Sequence, residues 1–155
     1  MAHRLDLIDK KILAILQSEG RITNVELAKR VGISAPPCLR RVRNLEIAGY
    51  IEGYHAEIAA KRFGFEITVF VMVGLASQAK TDLVNFEKKV LNWELVRECH
   101  MLNGEIDFIL KCVATDLPTF QEFLETQLLA TENVASVKTS LAIHCSKMAH
   151  GIPIS

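Results

Sequence analysis

Apolar residues at Leu5, Ile8, Ile12, Ile15 and Leu16 recur at helical spacing, and Gly20 closes the run. Asp6 stands at the N-cap of this expected helix, and Asp9 adds negative charge to its first turn. A second helix opens at Thr23-Asn-Val-Glu26, a capping-box spacing, and carries Leu27, Ala28 and Val31 until Gly32 stops it. Only Gly32-Ile33-Ser34 separates it from a third helix that runs to about Ala48, with Gly49 beyond its end. Ser34 is the expected cap of that helix. Pro36 and Pro37 then fall in its first turn, where backbone N–H groups have no intrahelical partner. This is helix-turn-helix spacing.

At 100° per residue, Ala35, Cys38, Val42 and Leu45 share one face of the third helix, with Leu39 at its edge. Pro37, Arg40 and Asn44 lie opposite, flanked by Arg41 and Arg43. The outward face at the N-terminal end of such a helix is the one that enters the major groove of double-stranded DNA. Candidate DNA-contacting residues are therefore Ser34, Pro36, Pro37, Arg40, Arg41, Arg43 and Asn44. Cys38 is on the core face and reads as a small buried hydrophobe. Tyr50 to Ile58 alternates loosely, as a short strand or wing would.

The second half has a different rhythm. Phe65–Ala76 reads as a buried strand, and Leu83, Phe86 and Val90 mark one face of a helix over Lys80–Asn92. Leu95–Leu102 alternates, Asn103-Gly-Glu105 turns, and Ile106, Phe108, Leu110 and Cys112 alternate with polar or mixed positions in a paired strand. Asp116 caps a second helix with Pro118 in its first turn and Phe120, Phe123, Leu124 and Leu128 inward; Val134–Cys145 is the last strand. The expected fold is α+β. A helix-turn-helix, winged-helix-like domain with a linker strand takes residues 1–62, and a ferredoxin-like βαββαβ domain takes 63–155. Helices on one sheet face leave the other uncovered, a surface suited to self-association.

Formal charge is zero over the 155 residues, but it is unevenly placed. Residues 1–62 carry eleven Lys/Arg against seven Asp/Glu, a net +4, and the remainder is −4. The segment 21–43 alone is +5, which favours DNA over a merely solvated helix face. The start Met-Ala-His-Arg-Leu-Asp has no apolar signal region, and the apolar run Ile67–Ala76 is too short to span a bilayer, so no membrane partner is expected. Cys38, Cys99, Cys112 and Cys145 lie far apart with no Cys-x-x-Cys, consistent with reduced thiols in a cytoplasmic protein. Cys99-His100 and His144-Cys145 are adjacent pairs, and neighbours on a strand point to opposite faces, so neither metal nor cofactor is expected. No phosphate-binding glycine loop, Ser/His/Asp arrangement or His-Glu-x-x-His occurs, and an enzyme is not expected.

Three stretches carry a family resemblance: Leu5-Asp-x-x-Asp9, Gly20-Arg-Ile-Thr-Asn-Val-Glu-Leu-Ala28 and Pro37-Cys-x-x-Arg-Val-x-x-Leu45-Glu-x-x-Gly49-Tyr-Ile-x-Gly-Tyr54. Together with Glu98-Cys-His and Asn103-Gly-Glu-Ile-Asp-Phe-Ile-Leu-Lys111, they resemble the leucine-responsive regulatory protein/AsnC family over almost the whole chain. The C-terminal Gly-Ile-Pro-Ile-Ser also resembles family members, whereas Ile106 stands where an aromatic is common, a departure that bears on pocket shape. The resemblance implies a transcription regulator, with dimers assembling into octamers or similar rings. It also implies an amino-acid effector bound between C-terminal domains, and a linker strand near Ile51–Ile58 that pairs with a partner subunit. The effector site it implies is Leu102, Asn103, Gly104, Glu105 and Asp107. There Gly104 can take a positive φ and lets another backbone or a ligand approach closely, the turn N–H groups suit a carboxylate, and Asp107, expected outside the apolar layer of Ile106 and Phe108, is the candidate acceptor for the ammonium; the alternative is that Gly104 and Asp107 only shape a hairpin. The alternative is a DNA-organising protein of the same fold that ignores small molecules.

Overall fold

The computed structural model describes residues 4–154. They form two compact units. One takes the chain up to Glu57 together with the stretch from Lys147 onward, and the other takes Ile58–Ser146. The expected division at residue 62 therefore shifts slightly, and the C-terminal tail belongs with the first unit. Bonds between Gln17 and Ile152 hold it there.

In the first unit, α1 (Leu7–Ser18) begins with a full capping box. The Asp9 N–H donates to Asp6 Oδ1 at 2.8 Å, and the Asp6 N–H donates to Asp9 Oδ2 at 3.2 Å. Helix α2 (Asn24–Val31) has only half of the expected box. Thr23 Oγ1 accepts from the Glu26 N–H, but the Glu26 carboxylate is turned to Arg30. Gly32 ends α2 at φ 78°, and Ile33 N–H reaches back to the Ala28 carbonyl at 3.0 Å, a left-handed cap that a side chain would strain. Helix α3 follows (Ala35–Ile47). Ile12, Leu27, Ala28, Val31, Cys38 and Leu45 close the core between the three helices.

Two further expectations for this unit change. Ser34 occupies the N-cap position of α3 but makes no side-chain capping bond. A cap hydroxyl accepts from the second or third helical N–H, and here those positions are Pro36 and Pro37, which have none. The start of α3 is instead tied to α2, where Asn24 Nδ2 donates to the Ala35 carbonyl at 2.8 Å. Residues 51–59 form no strand or wing. Extended chain becomes a strand only with a ladder partner, and this segment finds none within its own chain. Tyr54 folds back instead, its hydroxyl donating to Glu46 at 3.0 Å.

The second unit is an antiparallel sheet of order β2-β3-β1-β4, built from β1 (Ile67–Leu75), β2 (Val96–Met101), β3 (Phe108–Ala114) and β4 (Val134–Leu141). With α4 (Lys80–Val90) and α5 (Leu117–Phe123, continued by a π turn over Leu124–Leu128), the order is the expected βαββαβ. Val69, Val71, Val73, Phe108, Leu110 and Cys112 face the helices, where Phe86 lies 4.7 Å from Phe108 and Trp93 lies 5.6 Å from Phe123 between ring centres. The opposite face carries Phe70, Met72, Ile109 and a Lys111–Glu98 ion pair at 2.7 Å, with Lys138 beside Met72. The last strand stops at Leu141 rather than Cys145, because Val69 pairs with Leu141 and β1 has almost no residues left to oppose the rest. His144 and Cys145 are thus exposed coil, not strand.

Candidate functional site

Helix α3 turns Cys38 and Leu45 into the core, which fixes what it shows to solvent. Ser34, Pro36, Arg40, Arg43 and Asn44 are exposed, and Pro37 is half-buried. Arg21 and Lys29 add exposed positive charge nearby in sequence. Arg30 is tied to Glu19 and Glu26, so its charge is partly neutralised. What remains is a cationic helix face with hydrogen-bonding tips: a guanidinium at the centre (Arg40), a second farther along (Arg43), and an amide beside it (Asn44). Such groups serve base edges and phosphates.

Arg41 departs from this arrangement. Its Nη1 lies 2.7 Å from Asp9 Oδ1 and 2.8 Å from Asp6 Oδ2. Asp9 is only 1% exposed. The hydrogen bonds that Arg41 donates to Asp9 and then to Asp6 raise its pKa above the ordinary value. Arg41 therefore belongs to the packing of α3 on α1 rather than to the outward face. The sequence does hold the signal. Arg41 is three residues after Cys38 and four before Leu45, at the edge of the core-facing stripe, while Asp9 is three before core Ile12. A charge in each of two core stripes calls for a partner.

The turn after β2 is the other predicted site. Leu102, Asn103, Gly104 and Glu105 are exposed, with Ile106 half-buried. Gly104 does not take a positive φ, and the space a Cβ would occupy is open. The glycine leaves room above the turn instead of allowing a left-handed bend. Asp107 is not outside the packing layer. It is buried, its Oδ2 accepts from the Leu75 N–H at 2.6 Å, and its own N–H donates to the Val73 carbonyl at 3.0 Å. The Leu102 N–H completes the turn on the Asp107 carbonyl at 2.8 Å. Asp107 thus anchors the turn to the end of β1, where the ladder to β4 shifts register between Gly74 and Leu75 and leaves an amide to satisfy.

Two family models match the chain. A winged helix-turn-helix DNA-binding domain covers residues 5–52, and an Lrp/AsnC ligand binding domain covers residues 68–151. The chain is 54% identical over 150 residues to a leucine-responsive regulatory protein of Rhizobium meliloti, spanning 97% of this chain and 96% of that one. It is 39% identical over 139 residues to the Bkd operon transcriptional regulator of Pseudomonas aeruginosa, spanning 90% and 91%. Among solved structures, a transcriptional regulator of Neisseria meningitidis in complex with L-Met has a TM-score of 0.92 at 35% identity, with 97% of each chain covered. An AsnC family regulator of Agrobacterium tumefaciens has a TM-score of 0.90 at 30% identity, with 96% and 97% covered.

Proposed function

The chain belongs to the Lrp/AsnC family of DNA-binding transcriptional regulators, and from that premise we propose that a free amino acid binds its second unit and changes its assembly or its hold on DNA. The observation that carries this reading is the likeness, over the whole length, to a regulator whose structure contains L-Met. Ser34, Pro36, Pro37, Arg40, Arg43 and Asn44 form the DNA-contacting face. Arg40 at the centre reads bases, and Arg43 attracts phosphate. The effector lies over Leu102, Asn103, Gly104 and Glu105, with Asp107 shaping the turn from below. The uncovered sheet face, with Phe70, Met72 and Ile109 at its centre, joins copies of the chain into a dimer and larger rings. Among the described residues no helix is long and apolar enough to cross a membrane, and the protein works in the cytoplasm, on the nucleoid. Catalysis has no part in this account.

The test is Gly104→Val. Open space and an ordinary φ let the valine fit the fold, but it fills the room above the turn. Thermal-shift screening of the twenty amino acids identifies the effector, and calorimetry then compares wild type and variant. Affinity should fall at least about tenfold, which is about 1.4 kcal/mol, with the melting temperature unchanged. Equal affinity in both proteins would move the effector away from this turn. An absence of any amino-acid response would instead favour the effector-independent DNA-organising alternative.

A further inference from the structure

The chain passes between its two units twice, once after Glu57 and again after Ser146. The second passage ends in a tail that is held with unusual specificity for a terminus. Chain ends are ordinarily loose unless tied down. Here one side chain satisfies both backbone groups of a tail residue. Gln17 Nε2 donates to the Ile152 carbonyl at 2.9 Å, and Gln17 Oε1 accepts from the Ile152 N–H at 2.9 Å. A ring nitrogen of His150 lies 3.0 Å from the Glu57 carboxylate. Gly151 sits at φ 74°, which strains a residue with a side chain, and a Cβ there would overlap the Gln17 carboxamide and push it from its bonds to Ile152. The tail forms part of the wall of a groove of about 1130 Å³, whose lining also includes Leu5, Leu13, Leu16 and Ile51.

Gln17 is near the C-terminal end of α1. Asp6 and Asp9, at the other end, grip Arg41 of α3. The tail, α1 and the recognition helix are therefore contiguous through hydrogen bonds and one helix about two turns long between the two grips. Coupling between sites travels through such packed, bonded elements. We propose that Gln17 and Glu57 form a docking site for the chain's own C-terminal tail, and that the docked tail is the tie through which the effector-binding unit acts on α3. The proposal rests on the amino-acid-responsive reading above.

Two variants of the full chain release the tail in different ways. Gln17→Ala removes the paired bonds, and Gly151→Val collides with Gln17. Hydrogen exchange at the Ile152 amide reports docking. Affinity for a duplex selected from a random library, with and without a mixture of the twenty L-amino acids, reports regulation. Both variants should exchange the Ile152 amide roughly tenfold faster. Their duplex affinity without amino acids should stay within about twofold of wild type, while the amino-acid-dependent change disappears. A wild-type-sized response in variants whose Ile152 amide exchanges fast overturns the proposal, as does an unprotected Ile152 amide in the wild type. A protected amide with no amino-acid response in the wild type overturns the effector reading itself, and the tie with it.

Discussion

Replacing Arg41 by methionine distinguishes a structural arginine from a DNA-binding one. In the wild type the guanidinium is 31% exposed and bonds a carboxylate, Asp9, whose side chain is 2% exposed. Removing one partner of a buried pair costs about 3–5 kcal/mol, because the other charge stays buried without compensation. Two features pull the figure down here. A third of the guanidinium already faces water, and the Asp6 N–H continues to bond Asp9 Oδ2 at 3.2 Å. The expected loss is therefore about 2–3 kcal/mol. At about 4–8 °C per kcal/mol for a domain of this size, the first unit should melt at least about 8 °C lower. The chain suits the assay, since its two tyrosines, Tyr50 and Tyr54, lie in the first unit and its single tryptophan, Trp93, in the second. Urea unfolding followed by tyrosine emission should shift, while the tryptophan transition stays in place. In a double-mutant cycle with Asp9→Leu, the coupling should be about 2 kcal/mol, and the double variant should recover much of the loss as an apolar contact replaces the pair. A solvent-facing, phosphate-binding arginine behaves otherwise. Its loss changes stability by less than about 0.5 kcal/mol and lowers the salt slope of DNA binding by about 1. That second pattern would refute the inward assignment.

Arg40→Ala should reduce the operator-to-random affinity ratio by about 1–3 kcal/mol, whereas Arg43→Ala should weaken all duplexes alike and lower the salt slope by about 1; competition binding at several salt concentrations separates them. Asp107→Ala strands the Leu75 N–H and should destabilise the second unit by about 1–3 kcal/mol, read from the Trp93 transition. Asp6, held low chiefly by the Asp9 N–H, Glu98, held low chiefly by Lys111, and Asp116, held low chiefly by Thr119, all have folded pKa values below their unfolded ones. Their stabilisation is fully present above the unfolded values, 3.8 for the two aspartates and 4.5 for Glu98, and is lost as pH falls through the folded values, so the urea midpoint should fall as the solution is acidified through that range. Burial pushes the Cys112 thiol up to about 12 and the Cys99 thiol up to about 11, so a thiol reagent at pH 8 should modify exposed Cys145 first and spare Cys38 and Cys112 until the chain unfolds.

The regular elements were legible because their signals are local. Caps at Asp6, Thr23 and Asp116, stops at Gly32 and Gly49, and the alternation through Phe108, Leu110 and Cys112 each act within a few residues. The outward positions of Arg40, Arg43 and Asn44 follow from the same periodicity. What escaped depends on partners distant in sequence. Arg41 finds Asp9 across 32 residues, Asp107 finds the Leu75 amide across 32, and Gln17 finds Ile152 across 135. Spacing also gives Ser34 the place of a capping residue, but a capping bond needs N–H groups two and three positions on, and the two prolines remove them. The linker belongs with these, since alternation gives an extended chain but says nothing of what it pairs with.

The central claim is that one chain joins DNA binding to amino-acid sensing, and its most direct test is the affinity of the wild-type protein for a duplex selected from a random library, measured against each of the twenty amino acids at constant salt. At least one amino acid should shift the dissociation constant by about 5–150-fold, the range of an ordinary coupling free energy. It should also leave binding to an unselected duplex governed by salt alone. A dissociation constant unchanged by all twenty would contradict the account.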